Sequence, residues 1–216
     1  MGKSYLQDYT RYSILPLRQR FIGAEIKIVW MSELTIDDTG WLSLVEAIRS
    51  PNYDSRPGNS KIKLIVIHGI SLPPAEFGGG YIQQFFCNAL DADAHEYFSA
   101  IGEMRVSAHC LIEREGNIIQ FVSFLDRAWH AGESCWRGEQ ACNDFSIGIE
   151  LEGTDDQNYT EAQYRQLSRL VASLQSRYAD IENDAICGHS DIAPGRKTDP
   201  GPAFDWQHLR HLLEAP

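Results

Sequence analysis

The segment spanning residues 188–202 concentrates titratable side chains in a stretch rich in glycine and proline. Loops of this kind display functional groups at the surface rather than bury them. His189 and Asp199 lie in this segment, and His68 follows an apolar run much earlier in the chain. Two imidazoles and a carboxylate fit a metal centre, because a catalytic zinc ion takes three protein ligands and leaves one position for water.

Each of these residues also has a structural interpretation. A histidine at the end of a strand, such as His68, more often makes a structural hydrogen bond than it binds a metal. An aspartate before proline, such as Asp199, commonly forms a turn. The chain contains neither the helical His-x-x-x-His nor the Cys-x-x-Cys signature of zinc sites. Spacing alone therefore leaves both interpretations open.

Two further polar residues could take part in catalysis. Glu150 lies in a β-branched run, residues 145–152, where alternation places its side chain on the face opposite the isoleucines. There it is either a solvated glutamate or a general base at the floor of a cleft. Lys197, in the same loop as His189, is either an ordinary surface lysine or part of the site.

A cysteine nucleophile is the rival chemistry. Cys110 follows His109 directly, and Cys187 lies two residues before His189. Neither cysteine stands at an expected helix N-terminus, which would lower the pKa of the thiol. The chain also lacks the GxGxxG and GxxxxGK[ST] motifs of nucleotide-binding proteins. A metal centre is therefore the preferred hypothesis.

The strands that would position these residues can be predicted from apolar runs. β-Branched residues predict one buried strand from Leu64 to about Gly69 and a second strand over residues 145–152. The turn signal at residues 115–117 predicts a hairpin between two further strand-like runs. We expect all of these strands to share one sheet.

Helical patterns separate the predicted strands. Thr160, with Gln163 three residues later, predicts a capped helix that continues to Tyr178 with one buried face. Shorter helices are predicted over residues 81–90, 94–101 and 206–213. This mixture of elements predicts a single α/β domain with a central mixed β-sheet flanked by helices.

Composition excludes several classes of partner. The chain has 216 residues, 43% of them hydrophobic, and a net charge of −11 that gives no support to binding nucleic acid through a basic face. No apolar run approaches the roughly 20 residues of a membrane-spanning helix. Five cysteines without paired spacing and the lack of a signal sequence favour a reducing compartment. We expect a cytoplasmic monomer that binds neither nucleic acid nor membrane.

The N-terminal part of the chain differs in charge from the remainder. Residues 1–30 contain five basic and two acidic side chains, whereas the rest is strongly acidic. Met31 could be an alternative start. We therefore divide the chain into an N-terminal extension of unknown role, residues 1–38, and one domain, residues 39–216.

Five segments, taken together, carry a family resemblance. They are VIHGISLPP (66–74), RVSAH (105–109), AWHAG (128–132), CNDFSIGIELEGT (142–154) and GHSDIAPGRKTDPGP (188–202). In order and spacing they resemble the zinc-dependent N-acetylmuramoyl-L-alanine amidases, and in particular the branch that acts on 1,6-anhydromuramyl peptides. Two positions depart from the family. Gly69 stands where asparagine follows the first ligand, so a polar contact to the substrate is expected to be missing, and Cys110 stands where broader family members often have an aromatic residue after the histidine.

The resemblance implies a fold and a site. The fold is that of peptidoglycan recognition proteins and phage lysozyme-type amidases. His68, His189 and Asp199 align with the ligands of one zinc ion per chain. Glu150 aligns with the catalytic glutamate, which exchanges protons with water and the leaving amine, and Lys197 with the catalytic lysine that stabilises the oxyanion.

The resemblance also implies a substrate and a role. The reaction is hydrolysis of the amide between 1,6-anhydro-N-acetylmuramic acid and the L-alanine of its stem peptide, during cytoplasmic recycling of peptidoglycan fragments. Arg105 would pair with a carboxylate of this muropeptide, and Trp129 would form a cleft wall, although a surface ion pair and a core aromatic are the respective alternatives. A non-catalytic peptidoglycan-binding module and an amidase of intact murein remain as other functions.

Overall fold

The computed structural model describes residues 34–58 and 60–214. Its strands are β1 (Glu46–Ala47), β2 (Tyr53–Ser55), β3 (Leu64–Ile70), β4 (Cys110–Ile112), β5 (Ile118–Gln120), β6 (Asp126–Ala128), β7 (Cys135–Trp136), β8 (Glu139–Gln140), β9 (Ser146–Glu152) and β10 (Ile186–Gly188). Its helices are α1 (Tyr81–Phe86), α2 (Phe98–Ile101), α3 (Glu161–Arg177), α4 (His189–Ile192) and α5 (Trp206–Glu214), with a 3-10 turn at Cys142–Asp144. None of these helices is both long and apolar enough to cross a membrane.

Most of the predicted N-terminal extension, including Met31, lies outside the described residues. Of residues 34–38, Leu34 and Ile36 pack against the apolar core, and Ile36 forms a β-bridge with Leu42. The extension and its boundary at residue 38 stay predictions.

A six-stranded mixed sheet organises the described part of the chain. Its strand order is β1-β5-β4-β9-β3-β10. The β4 and β5 strands form the predicted antiparallel hairpin, and the other neighbouring pairs are parallel. The strand predicted from Leu64 continues to Ile70, because its whole length pairs with β9. The predicted α/β domain with one central mixed sheet is confirmed.

Helices cover both faces of this sheet, as predicted. On one face, the alternating residues Ile147, Ile149 and Leu151 of β9 join a core with the apolar side chains of α3, and Leu209 of α5 belongs to the same cluster. On the other face, side chains of α1 and α2 pack over β4 and β5, and Ile192 of α4 packs with residues of β3. The strands β3 and β9 are therefore buried on both faces, which explains the nearly continuous apolar run of β3, whereas β9 alternates apolar residues with Ser146, Gly148, Glu150 and Glu152.

The longest helix, α3, begins as predicted. The Thr160 hydroxyl accepts a hydrogen bond from the Gln163 backbone N–H at 3.1 Å, and the Gln163 side chain accepts one from the Thr160 N–H at 3.0 Å. This reciprocal capping box satisfies two backbone donors that the first turn of a helix leaves free.

Two predicted helices are shorter in the structure, for local reasons. The helix predicted over residues 81–90 ends at Phe86, because Asn88 adopts a left-handed φ of 57° that cannot continue a helix. The helix predicted over residues 94–101 begins only at Phe98. Before it, the Asp91 carboxylate and the His95 ring accept hydrogen bonds from backbone N–H groups two residues later and so favour turns.

Candidate active site

The register between β3 and β9 places two of the predicted site residues side by side. His68 pairs with Glu150 in the parallel ladder of these strands. Side chains at paired positions of neighbouring strands point to the same face of a sheet. His68 and Glu150 are thus held by the central backbone hydrogen bonds of the fold and line the same cavity of about 300 Å³.

The segment that follows β10 brings His189 and Asp199 close to His68. His189 begins α4 immediately after β10, which pairs with β3. Asp199 follows in the loop after α4, where its carbonyl oxygen accepts a hydrogen bond from the Ser190 N–H at 3.0 Å. The Tyr159 hydroxyl donates to the carbonyl oxygen of the next residue, Pro200, at 2.9 Å. The loop is therefore tied down on both sides of Asp199.

Gly69 makes room for this tyrosine. A Cβ atom at position 69 would collide with the Tyr159 hydroxyl, and one at Gly153 would collide with the Tyr159 ring. The glycine beside His68 thus has a structural reason, because a side chain at position 69 would occupy the space of the Tyr159 hydroxyl, which binds the Pro200 carbonyl oxygen.

Three side-chain atoms converge on one point. His68 Nδ1 lies 3.0 Å from His189 Nδ1, and Asp199 Oδ2 lies 3.1 Å from each of these nitrogens. Donor atoms about 2.0–2.1 Å from a tetrahedral zinc ion are about 3.3–3.4 Å apart, so these atoms need to separate by only a few tenths of an ångström. In the residues that the structure describes, they form a group that could hold a metal ion.

The electrostatics of the triad suit a cation. Burial lowers the pKa of His68 to about 4, partly opposed by its close contact with the Asp199 carboxylate, so the ring is neutral and keeps a lone pair for a metal. Burial opposes ionisation of Asp199, but its close contacts with His189 and His68 outweigh it and hold the pKa of this carboxyl well below its usual range. Histidine binds a metal as the neutral imidazole, so a metal at the centre would meet two neutral rings and the single negative charge of Asp199.

Glu150 stands apart from this triad as a buried carboxyl. Its Oε2 atom is buried without a hydrogen-bond partner. Burial raises the pKa of Glu150 well above its usual value, the charge of Asp199 raises it further, and Lys197 lowers it. A buried acceptor without a partner is costly, and such groups concentrate at functional sites. The interpretation of Glu150 as a solvated glutamate is therefore wrong.

Comparison with known proteins agrees with this geometry. Residues 58–202 match the family model of N-acetylmuramoyl-L-alanine amidases. This chain belongs to that family. It is 54% identical over 176 residues to the 1,6-anhydro-N-acetylmuramyl-L-alanine amidase AmpD of Citrobacter freundii, which covers 82% of this chain and 94% of that protein.

Two solved structures extend the comparison. A crystal structure of a Se-Met AmpD derivative superposes with a TM-score of 0.81 and 52% identity, over 83% of this chain and 99% of that one. The amidase AmiD of Escherichia coli, solved with anhydro-N-acetylmuramic acid-L-Ala-D-gamma-Glu-L-Lys, gives a TM-score of 0.53 and 30% identity, over 82% and 65% of the two chains. The predicted family and fold are confirmed.

The two predicted substrate-binding residues of this family member differ in placement. Trp129 is half-buried and lines the cavity beside Ser107, whose hydroxyl oxygen accepts its backbone N–H at 3.1 Å. Arg105 is exposed outside the cavity wall, donates to the carbonyl oxygens of Gly102 and Met104, and lies 3.7 Å from the Glu103 carboxylate. Lys197 is exposed to solvent and lines the cavity.

The cysteine alternative has no support in the geometry. Burial raises the pKa of the Cys110 thiol and raises that of Cys187 to about 12, so neither thiol ionises readily. His109 is not a base for Cys110, because its Nδ1 accepts the Gly148 N–H at 3.0 Å and its Nε2 faces the Asp126 carbonyl oxygen at 3.2 Å.

Several site residues were not predicted from the sequence. An apolar wall of the cavity is formed by Phe85, Phe86, Ile101 and Met104. Behind β9, the guanidinium of Arg56 donates to the carbonyl oxygens of Asn143, Asp144 and Ser146 and so fixes the start of that strand. His130 also lines the cavity, and in the sequence its position beside Trp129 in the AWHAG motif leaves open whether it forms a cleft wall or is structural.

Proposed function

We propose that this chain hydrolyses the amide bond between 1,6-anhydro-N-acetylmuramic acid and the L-alanine of the stem peptide, in the recycling of peptidoglycan fragments. One observation carries the proposal: the convergent His68, His189 and Asp199 donors and the unpaired carboxyl of Glu150 share one cavity, in a chain that matches AmpD over nearly the whole of that protein.

The triad would hold one zinc ion. When bound, this ion supplies a Lewis acid that polarises a carbonyl oxygen and lowers the pKa of water to about 7. The carboxylate of Asp199 offsets one unit of the metal charge, and the buried imidazoles hold it in a fixed position. All three donors sit on elements tied to the central sheet, so little reorganisation accompanies metal binding.

Glu150 would carry the proton. Burial raises its pKa well above that of an exposed glutamate, which suits a group that must hold a proton between the attack of water and the departure of the amine. It takes the proton from the attacking water and returns it to the nitrogen of the leaving L-alanine. Lys197, which lines the same cavity, donates to the oxyanion of the tetrahedral intermediate.

Substrate capture needs local cations because the chain carries a net charge of −11 and the stem peptide is also acidic. Arg105 could pair with a peptide carboxylate from the rim, because its contact with Glu103 is long and solvent-exposed and so costs little to break. Trp129 and the apolar wall would enclose the sugar or the first residues of the peptide. We also propose a cytoplasmic location, which the five free cysteines support.

The test is product analysis with and without metal. Purified protein is incubated with 1,6-anhydromuramyl tripeptide as isolated, after chelation, and after reloading with zinc, and the products are identified by mass spectrometry. We expect free stem peptide only in the metal-loaded samples. Binding without cleavage would indicate a recognition module, and release of peptide from intact sacculi at a similar rate would indicate a general murein amidase.

A further inference from the structure

The dipeptide His130-Ala131 contacts both metal-binding histidines on the ring nitrogen that faces away from the triad. His130 Nδ1 lies 2.9 Å from His68 Nε2, and the Ala131 carbonyl oxygen lies 3.1 Å from His189 Nε2. Each ligand ring is thus held at one nitrogen by the same short segment while the other nitrogen, Nδ1, points to its partners in the triad.

The contact to His189 fixes the position of its proton. A backbone carbonyl oxygen only accepts hydrogen bonds, and the Arg196 guanidinium, which lies 3.5 Å from His189 Nε2, donates to this same carbonyl oxygen at 2.5 Å, so His189 Nε2 carries the hydrogen in its contact with Ala131. In a neutral imidazole the other nitrogen is then unprotonated. His189 Nδ1 therefore offers its lone pair to a metal.

A longer chain of hydrogen bonds determines which atom donates in the contact between His68 and His130. The Ser146 hydroxyl has one hydrogen and donates it to the Cys142 carbonyl oxygen. Its oxygen must therefore accept at the 3.1 Å contact with His130, so His130 Nε2 carries a hydrogen. Neutral His130 then has an unprotonated Nδ1 that accepts from His68 Nε2–H, which leaves His68 Nδ1 free for a metal.

The dipeptide is itself held in place by two features of the chain. The Asn143 side-chain oxygen accepts the backbone N–H groups of both His130 and Ala131, at 3.1 and 2.8 Å. Gly148 of β9 provides the space for the ring, because a Cβ atom there would collide with His130. These contacts connect the AWHAG segment, which contains His130, with the CNDFSIGIELEGT segment, which contains Asn143.

We propose that the dipeptide His130-Ala131 sets both metal-binding histidines in the Nε2–H tautomer, with His130 as the positioning residue for His68. This inference rests on the proposed metal site and adds a determinant of its affinity. Hydrogen bonds to the far nitrogen of a ligating histidine fix the orientation of its ring and increase its basicity, and their loss typically weakens metal affinity about 10–100-fold.

A matched pair of variants tests the role of His130. His130→Asn and His130→Leu have the same branching, but only asparagine places an acceptor near the position of Nδ1. Zinc dissociation constants are measured by competition with a chromophoric chelator, and unfolding of the metal-free proteins is followed in parallel. We expect His130→Leu to weaken zinc binding about 10–100-fold relative to wild type and His130→Asn to restore most of that loss. Equal affinities of the two variants would overturn the proposal.

A second measurement needs no substitution, and so stands even if a variant does not fold. Long-range nitrogen–proton NMR of the zinc-loaded wild type reports the protonation of each ring nitrogen. We expect His130 to be neutral, with its proton on Nε2, and a proton on Nδ1 of His130 would refute the chain of hydrogen bonds. A wild type that binds no zinc overturns this inference together with the proposed function. A wild type that binds zinc and cleaves, but whose variants bind equally, overturns this inference alone.

Discussion

Replacing Glu150 with glutamine should affect activity and stability in opposite directions. The amide keeps the shape of the side chain but cannot take a proton from water. General acid–base catalysis typically contributes about 10²–10⁴-fold, which is about 2.7–5.5 kcal/mol of transition-state stabilisation. We expect Glu150→Gln to lose that factor in kcat while it binds zinc as the wild type does, because the three metal donors belong to other residues.

The same substitution should stabilise the metal-free protein. Glu150 Oε2 is buried without a partner, and an unpaired buried group costs about 1–3 kcal/mol when neutral and more when charged, so the neutral amide of glutamine is less costly there than a carboxylate. Removal of the charge also removes its repulsion with Asp199. We expect the free energy of unfolding of Glu150→Gln to exceed that of wild type by about 1 kcal/mol at neutral pH.

The gain in stability should depend on pH with a definite sign. Because burial raises the pKa of Glu150, the folded protein binds this proton more tightly than the unfolded chain does. Wild type therefore loses stability relative to Glu150→Gln as the pH rises above the unfolded carboxyl pKa of about 4.3 and through the folded value. Near pH 4 the two proteins should differ least, and urea unfolding at that pH and at neutral pH measures the change.

Glu152 offers the matched control on the same strand face. It is also buried, but its carboxylate accepts the backbone N–H groups of Gly78 and Arg114. Glu152→Gln loses one of these acceptors and should unfold about 1 kcal/mol more easily while it retains turnover. The reasoning would fail if Glu150→Gln kept kcat within a few-fold of wild type, lost its zinc, or were less stable than wild type at neutral pH.

Three further predictions concern the same site. Chelation should abolish hydrolysis, and addition of zinc should restore it in proportion to the metal bound, as followed by peptide release and elemental analysis. Lys197→Ala should lower kcat about 10²–10³-fold with little change in KM, if its role is to stabilise the oxyanion, and a change confined to KM in steady-state kinetics would contradict that role. Tyr159→Phe removes the hydrogen bond to Pro200 and should lower the free energy of unfolding by about 1–2 kcal/mol in urea titrations, with weaker zinc binding because the loop that carries Asp199 is loosened. Zinc affinity unchanged in this variant would show that the loop is held by other contacts.

Local patterns in the sequence predict the elements that carry the chemistry. The apolar run at Leu64, the alternation around Glu150 and the capping box at Thr160 each reflect forces between residues close in the chain, and the corresponding elements β3, β9 and α3 are confirmed. The predicted lengths of α1 and α2 were wrong because single residues decide where a helix begins or ends. Asn88, whose backbone is left-handed, is one such residue. A periodicity of apolar residues does not report such a local conformation.

The candidate site was predictable in its residue types but not in its arrangement. Composition and spacing left His68 and Asp199 with two interpretations each, and the family resemblance was needed to choose between them. The position of Arg105 outside the cavity wall follows from the conformation of its own loop, where carbonyl oxygens of Gly102 and Met104 hold the guanidinium. The contacts of His130 depend on Ser146 and Gly148, which lie in another strand and become neighbours only in the folded chain.

The pairing of His68 with Glu150 in the central ladder has a consequence for how this enzyme can diversify. The separation between His68, a proposed metal ligand, and Glu150, the proposed proton carrier, is set by backbone hydrogen bonds of two buried strands, and a slip of one residue in either strand would turn one of the two side chains to the opposite face. The distance between His68 and Glu150 is therefore fixed by the sheet. The rim residues around Met104 and Trp129 belong to segments outside that ladder, so substrate preference can change by insertion or substitution there while the distance that governs hydrolysis stays constant.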